Sequence, residues 1–266
     1  MKKIYSIAIL RPAGNDTALV RCLVNETEKK QINDVIMKQF PTVEQVGFYE
    51  KTKAGGTLEM AGGEFCGNAT RSLAYLLLNG KVGSTILEVS GANKPLVAGV
   101  KTPNTAFAQM PIISSLESVK QLSETTTLVQ MQGIVHLIVS RKPNNKTPNA
   151  IKAEGKKLME KYNLLLAYPA AGVMFVSRQT EKSITMNPVI WVRDIKTLFY
   201  ETACASGTTA VGLWIATGNN KTIKDLKVIQ PSKQSITVSV TKKQDDFACA
   251  FIDGPIEIIK MIKITL

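Results

Sequence analysis

Cys66 and Cys204 each open a long apolar run, in surroundings that match. The first segment reads Glu64-Phe65-Cys66-Gly67-Asn68-Ala69-Thr70-Arg71 and continues to Asn79-Gly80. The second reads Glu201-Thr202-Ala203-Cys204-Ala205-Ser206-Gly207-Thr208-Thr209 and continues to Thr217-Gly218. In each, a glycine read as the helix stop follows the cysteine by fourteen residues. A thiol at a helix N-terminus meets unpaired N–H groups and the positive end of the helix dipole, which favour its thiolate and can hold an anion. Two such thiols facing one pocket make an acid/base pair.

The elements that must position them also occur in duplicate. Gly14-Asn15-Asp16 leads into an apolar strand, as does Gly133-Ile134-Val135-His136; Val46-Gly47-Phe48 is echoed by Ala171-Gly172-Val173. After the cysteine segments, Glu88-Val89-Ser90-Gly91 corresponds to Val228-Ile229-Gln230-Pro231. Apolar spacing predicts one amphipathic helix per half, over 26–40 and 149–163. The cysteine helices are apolar nearly all round, which requires enclosure. The expected fold class is therefore α+β: two pseudo-symmetric domains, each a β-sheet or barrel wrapped around a central helix. The boundaries read are 1–113 and 114–253, with a last strand over 254–266 returning to the first domain. A pocket is expected between the domains.

Composition narrows the function classes. The 266 residues are 44% hydrophobic, enough for two domains of ordinary size. The apolar stretch Ile4 to Leu10 is too short for a signal segment and reads as a first strand, and no run is long enough to span a membrane, so a cytoplasmic chain with reduced thiols is expected. Cys22, ending a strand over 18–24, and Cys249, in an alternating strand, read as small core hydrophobes. With one histidine and no CxxC, a compact zinc site is not expected. The net charge of +12 comes from lysines scattered along the chain, with turns such as Pro143-Asn144-Asn145 between elements. Without a nucleic-acid-reading motif this reads as solvated surface that attracts carboxylate substrates, not nucleic acid.

The run from Cys66 to Arg71 fits the C-G-N-[GA]-x-R pattern of the diaminopimelate epimerase-like superfamily of cofactor-independent amino-acid racemases and epimerases. Cys204-Ala205-Ser206-Gly207 is similar to the second C-G-S-G loop, and Gly14-Asn15-Asp16 to the N-terminal G-N-D; Gln45 occupies a similar place. Within that superfamily the chain resembles the histidine racemases of staphylopine-type metallophore pathways, which share Glu64 to Thr70, Glu44 to Phe48 and a glutamate three residues before the second cysteine.

The resemblance implies a two-base 1,1-proton transfer at the α-carbon, with no cofactor and no metal. Cys66 and Cys204 would be the bases, and backbone N–H groups around Gly67, Asn68 and Ala69 and around Ser206, Gly207 and Thr208 would hold the α-carboxylate. Asn15 and Gln45 join this substrate-binding set. His136 aligns with a family histidine near the first cysteine, and Glu201 with the glutamate beside the second. Glu64 has the same option beside Cys66, with a first-turn carboxylate complementing the helix dipole as the favoured reading. Phe48, Phe65, Phe199 and Tyr200 could pack an imidazole.

Departures from diaminopimelate epimerases lie at the distal end of the substrate. Ile134 stands where an asparagine is expected, Met60 lies on the other approach, and the arginine loop is shortened to Leu198-Phe199-Tyr200-Glu201-Thr202. A charged distal end would be left unpaired there. Histidine is the leading substrate; diaminopimelate epimerisation, or a non-racemase isomerase or basic binding protein on the same fold, are the alternatives. The expected partner is a small-molecule amino acid, with neither nucleic acid nor membrane, and a homodimer is left open.

Overall fold

Four stretches of helix lie between strands that pair in parallel, the crossover that a parallel pair needs because a short hairpin cannot join it. The computed structural model describes residues 3–144 and 147–265. The turn read at 143–145 thus ends outside the described residues.

The first elements are β1 (Ile4–Leu10), β2 (Asp16–Val20), α1 (Glu26–Gln39), β3 (Val43–Lys51), β4 (Gly55–Met60), α2 (Gly67–Leu77), β5 (Gly83–Val89), β6 (Leu96–Thr102) and β7 (Thr105–Gln109). Next come β8 (Val119–Ser123), β9 (Thr126–Met131), β10 (Ile134–Val139), α3 (Pro148–Lys161), α4 (Leu164–Ala167), β11 (Ala170–Thr180), β12 (Ser183–Val192) and β13 (Thr197–Tyr200). Then follow α5 (Ala205–Gly218), β14 (Ile223–Ile229), β15 (Ser235–Lys243), β16 (Asp246–Pro255) and β17 (Ile258–Thr265).

One order of pairings occurs twice. Across α1, β2 is parallel to β3; β3 turns back as β4; and β4 is parallel to β5 across α2, before β5, β6 and β7 run antiparallel. Likewise β10 is parallel to β11 across α3, β11 turns back as β12, and β12 is parallel to β14 across α5, before β14, β15 and β16 run antiparallel. The two runs are not separate sheets: β7 pairs with β16, joining the seventeen strands among the described residues into one network. The last strand, β17, lies along β1.

Burial explains which helix sits where. On α5 all but three of its fourteen residues are buried, and on α2 Gly67 through Ala74 are buried. Both helices lie in one apolar core with Leu73, Val211, Leu213, Ile236 and Val238. The amphipathic α1 and α3 cover the outer faces in two smaller cores, around Ile32 and Ile36 and around Ile151 and Met159. Asn25 and Thr147 cap them by accepting N–H groups of Glu28 and Ala150.

Three local readings change. The strand expected over 18–24 ends at Val20, so Cys22 falls in a bend; it and Cys249 are only half-buried, not core residues. Gly218 is the last residue of α5, not its stop, and Asn220 takes the left-handed conformation beyond it at φ 51°. Among the described residues no helix is long and apolar enough to cross a membrane.

Candidate active site

The two cysteines are the N-cap residues of α2 and α5, with nearly the same backbone: φ −130°, ψ 109° at Cys66 and φ −126°, ψ 111° at Cys204. Cys66 Sγ accepts the N–H of Ala69 at 3.3 Å, and Cys204 Sγ that of Gly207 at 3.4 Å. The hydroxyls of Thr70 and Thr208 donate to the carbonyls of Cys66 and Cys204, at 2.8 and 2.7 Å. Each thiol is thus held by the first turn of its own helix.

The helices meet end to end. A Cβ placed on Gly67 would lie 2.9 Å from Ala205 Cβ and 2.9 Å from Met110 Cε, so only glycine allows this approach. Asn68 donates across the junction to the carbonyl of Ala203 at 2.9 Å. Its own Oδ1 accepts from Arg71, which is fully buried and also donates to the carbonyl of Pro255.

Between the helix ends lies a narrow cavity of about 40 Å³, with Cys66 and Cys204 both in its wall. The first turns contribute Gly67, Asn68, Ala205 and Ser206. Their N–H groups belong to the set that a helix leaves without an internal partner. Ala69, Gly207 and Thr208, read from the sequence as part of this cradle, direct their N–H groups to Cys66 Sγ, Cys204 Sγ and the Cys204 carbonyl, and they do not line the cavity.

One side chain links the two halves of the site. Gln45, on β3, accepts from the Cys66 thiol at 2.6 Å through Oε1 and donates from Nε2 to Glu201 Oε1 at 2.8 Å. Glu201 is buried beside Cys204, and its second oxygen, Oε2, has no hydrogen-bond partner. Burial, the Glu44 charge and the Glu64 charge raise its pKa to about 8, against the lowering contacts of Cys204 and Gln45.

Helix ends were expected to favour thiolates, but burial wins. Desolvation pushes Cys66 up, with the charges of Glu201 and Glu64 adding to it, and the N–H of Ala69 offsets only part. Desolvation and Glu201 likewise push Cys204 well above its ordinary value. Both sulfurs are therefore protonated until a cation or a base changes their surroundings.

His136 is fully buried on β10, and neither ring nitrogen has a hydrogen-bond partner. Burial lowers its pKa to about 3 and keeps the ring neutral. It packs on Gly172, where a Cβ would lie 2.5 Å from Nδ1, and it does not line the cavity. The Cys66 proton goes to Gln45, not to this imidazole.

Asn15 also lies behind the cavity: its Nδ2 donates to Glu44 Oε2 at 2.6 Å, and its Oδ1 accepts from Thr17. Glu44 lines the cavity, although nothing in the Glu44 to Phe48 run singles it out in the sequence. Its carboxylate also accepts the N–H and hydroxyl of Thr202, while burial raises its pKa to about 7. Phe65 and Phe199 reach the cavity; Phe48 and Tyr200 belong to the outer cores.

Glu64 precedes the helix and does not sit in its first turn, which contains no acidic residue. It is buried in the cavity wall, and its Oε2 has no hydrogen-bond partner.

A histidine racemase of Fusobacterium nucleatum is 32% identical over 264 residues, covering 94% of this chain and 93% of that protein. A histidine racemase of Staphylococcus aureus is 24% identical over 250 residues, covering 90% and 89%. Among solved structures, a hydroxyproline epimerase from Agrobacterium vitis superposes with a TM-score of 0.70 at 11% identity, covering 99% of this chain and 93% of that one. That likeness shows the mixed α/β fold alone. The family model described as the histidine racemase CntK N-terminal domain matches residues 7–263. With a match of that extent, and a relative so similar along its length, the chain belongs to the histidine racemase CntK family and is an isomerase of the racemase type.

Proposed function

We propose that the protein racemises free histidine by 1,1-proton transfer between Cys66 and Cys204, without pyridoxal or metal. The observation that carries this reading is the pair of N-capping thiols in the wall of one cavity, joined through Gln45 and Glu201. Histidine is the substrate by which the relatives are named. The diaminopimelate epimerase-like arrangement of two domains, a cytoplasmic location and a supply of D-histidine to metallophore assembly belong to the same proposal.

The α-carboxylate would lie against the first-turn N–H groups of Gly67, Asn68, Ala205 and Ser206, where developing negative charge at the α-carbon is also stabilised. The α-ammonium would meet Glu201 Oε2, the oxygen left without a partner. Its charge favours both thiolates and so opposes the desolvation that holds them protonated.

Protons then balance as follows. Ionised Glu201 takes the Cys204 proton, the Cys204 thiolate removes the α-hydrogen from one face, and the Cys66 thiol delivers its proton to the other. The enzyme is left with a Cys66 thiolate, a Cys204 thiol and protonated Glu201. Rotation of the Gln45 amide serves that form as well: its N–H turns to the thiolate and its oxygen to the Glu201 O–H. The opposite reaction starts from there.

Incubation of a panel of L-amino acids, diaminopimelate included, followed by chiral chromatography tests the reading. Inversion of histidine above all others supports it. Inversion of diaminopimelate in preference moves the protein to the epimerase alternative, and inversion of none removes the reading.

A further inference from the structure

Three carboxylates line the cavity, and they are not equivalent. Glu44 is saturated by Asn15 and Thr202, and Glu201 has Oε1 held by Gln45 and its partnerless Oε2 assigned above to the α-ammonium. Glu64 remains. Its main chain is fixed, because the Ser90 hydroxyl donates to its carbonyl at 2.8 Å while accepting the N–H of Met60 at 3.0 Å. Its side chain is not so matched: Oε2 is buried without a hydrogen-bond partner.

The N–H groups of Gly62 and Glu64 act on this carboxylate, and beyond them its neighbours near Oε2 are apolar. A Cβ on Gly62 would lie 2.8 Å from Glu64 Oε2, 2.6 Å from Val192 Cγ1 and 3.3 Å from Ile195 Cγ1. The carboxylate therefore sits in an apolar corner, with room kept by a glycine. Lys29, a buried cation of α1, is committed to Glu26 and Glu59. Leaving a buried carboxylate oxygen unpaired is costly, and a fold that retains one in a cavity wall presents it to a ligand.

We infer that Glu64 is a specificity residue that accepts an N–H from the substrate side chain, so that the site selects an imidazole over an apolar ring of the same size. This rests on the racemase reading above and adds to it the group that reads the side chain. Glu201 and Glu64 thereby divide the substrate, the α-ammonium going to one and the side-chain N–H to the other. Burial raises Glu64 to about 7, restrained by the N–H groups of Gly62 and Glu64, so it is matched to an imidazole for sharing a proton.

The test compares histidine with 3-(2-thienyl)alanine, whose ring lacks an N–H, in the wild type and in Glu64→Gln and Glu64→Leu. A site built to bond a substrate N–H discriminates strongly against an analogue without it. Glu64→Leu should raise KM for histidine by about tenfold or more and narrow the ratio of kcat/KM between the two substrates by a similar factor. Glu64→Gln, which keeps an acceptor and the volume, should lie between. Because Glu64 also acts on Cys66 through its charge, a purely structural or electrostatic role would change both substrates alike. An unchanged ratio in both variants overturns the inference while histidine turnover by the wild type stands. Absence of histidine turnover in the wild type overturns the racemase reading instead.

Discussion

Gln45 and Glu201 lie 156 positions apart and share a hydrogen bond of 2.8 Å inside the site. Since the other end of the same amide takes the Cys66 proton, the amide fixes a rule between the halves. In the two active forms a protonated Cys66 goes with an ionised Glu201 or the reverse, and passing between them requires the amide to turn over. Gln45→Met keeps the volume and removes both bonds. Its kcat should fall by about 10 to 100-fold, and Glu201, no longer held down by the Nε2–H, should titrate at higher pH. The check is the pH profile of kcat/KM, whose acid limb should move upward; an unmoved limb assigns Gln45 a packing role only.

Glu201 itself sets where that limb lies. With its pKa raised to about 8 by burial, kcat/KM of the free enzyme should rise towards that pH and level above it. Glu201→Gln should abolish the limb with most of the activity. The stability consequence has a definite sign. The folded state keeps a proton that the unfolded carboxyl loses near 4.5, so stability falls as pH rises between 4.5 and about 8. Denaturant midpoints across that window should show a shallower decline in Glu201→Gln than in the wild type.

Serine in place of either cysteine keeps the N-cap but is a far weaker acid. Cys66→Ser and Cys204→Ser should each lose about a thousandfold or more in kcat, with the thermal midpoint nearly unchanged. Racemisation that survives in either variant removes that thiol from the chemistry.

Asn68→Ala removes the bond to Ala203 between the helix ends and the partner of Arg71 at once. The guanidinium would stay buried with only the Pro255 carbonyl. A loss of about 2–4 kcal/mol in unfolding free energy is expected, measured by urea denaturation. Arg71→Met in the same background should recover part of it, since removing both partners costs less than stranding one.

The cysteine helices were legible in the sequence because the signal is local: a capping residue, two small residues and an apolar run are contiguous. The repeated glycines before β2 and β10 were legible for a similar reason, since φ of 95° at Gly14 and 75° at Gly133 demands that residue type. The β7–β16 pairing that joins the strands was not, because nothing in either segment names its partner 140 or so positions away. Burial was the other blind spot. Dipole arguments read from a segment favour a thiolate, whereas the desolvation that reverses this comes from the burial that only the folded chain creates. The same holds for Glu64, whose proximity to Cys66 in sequence suggested the helix dipole while its carboxylate faces Gly62 and the cavity.

The most direct test of two opposed thiols is the fate of the α-hydrogen in D₂O. L-histidine is incubated with metal- and pyridoxal-free enzyme, stopped at a few per cent conversion, and each enantiomer is separated and examined by NMR. The account predicts D-histidine carrying deuterium at the α-carbon, since its hydrogen comes from a solvent-exchanged Cys66 or Cys204, while the remaining L-histidine still carries protium. Protium retained in the D-product, or deuterium entering the L-pool ahead of inversion, would point to a single base and contradict the account.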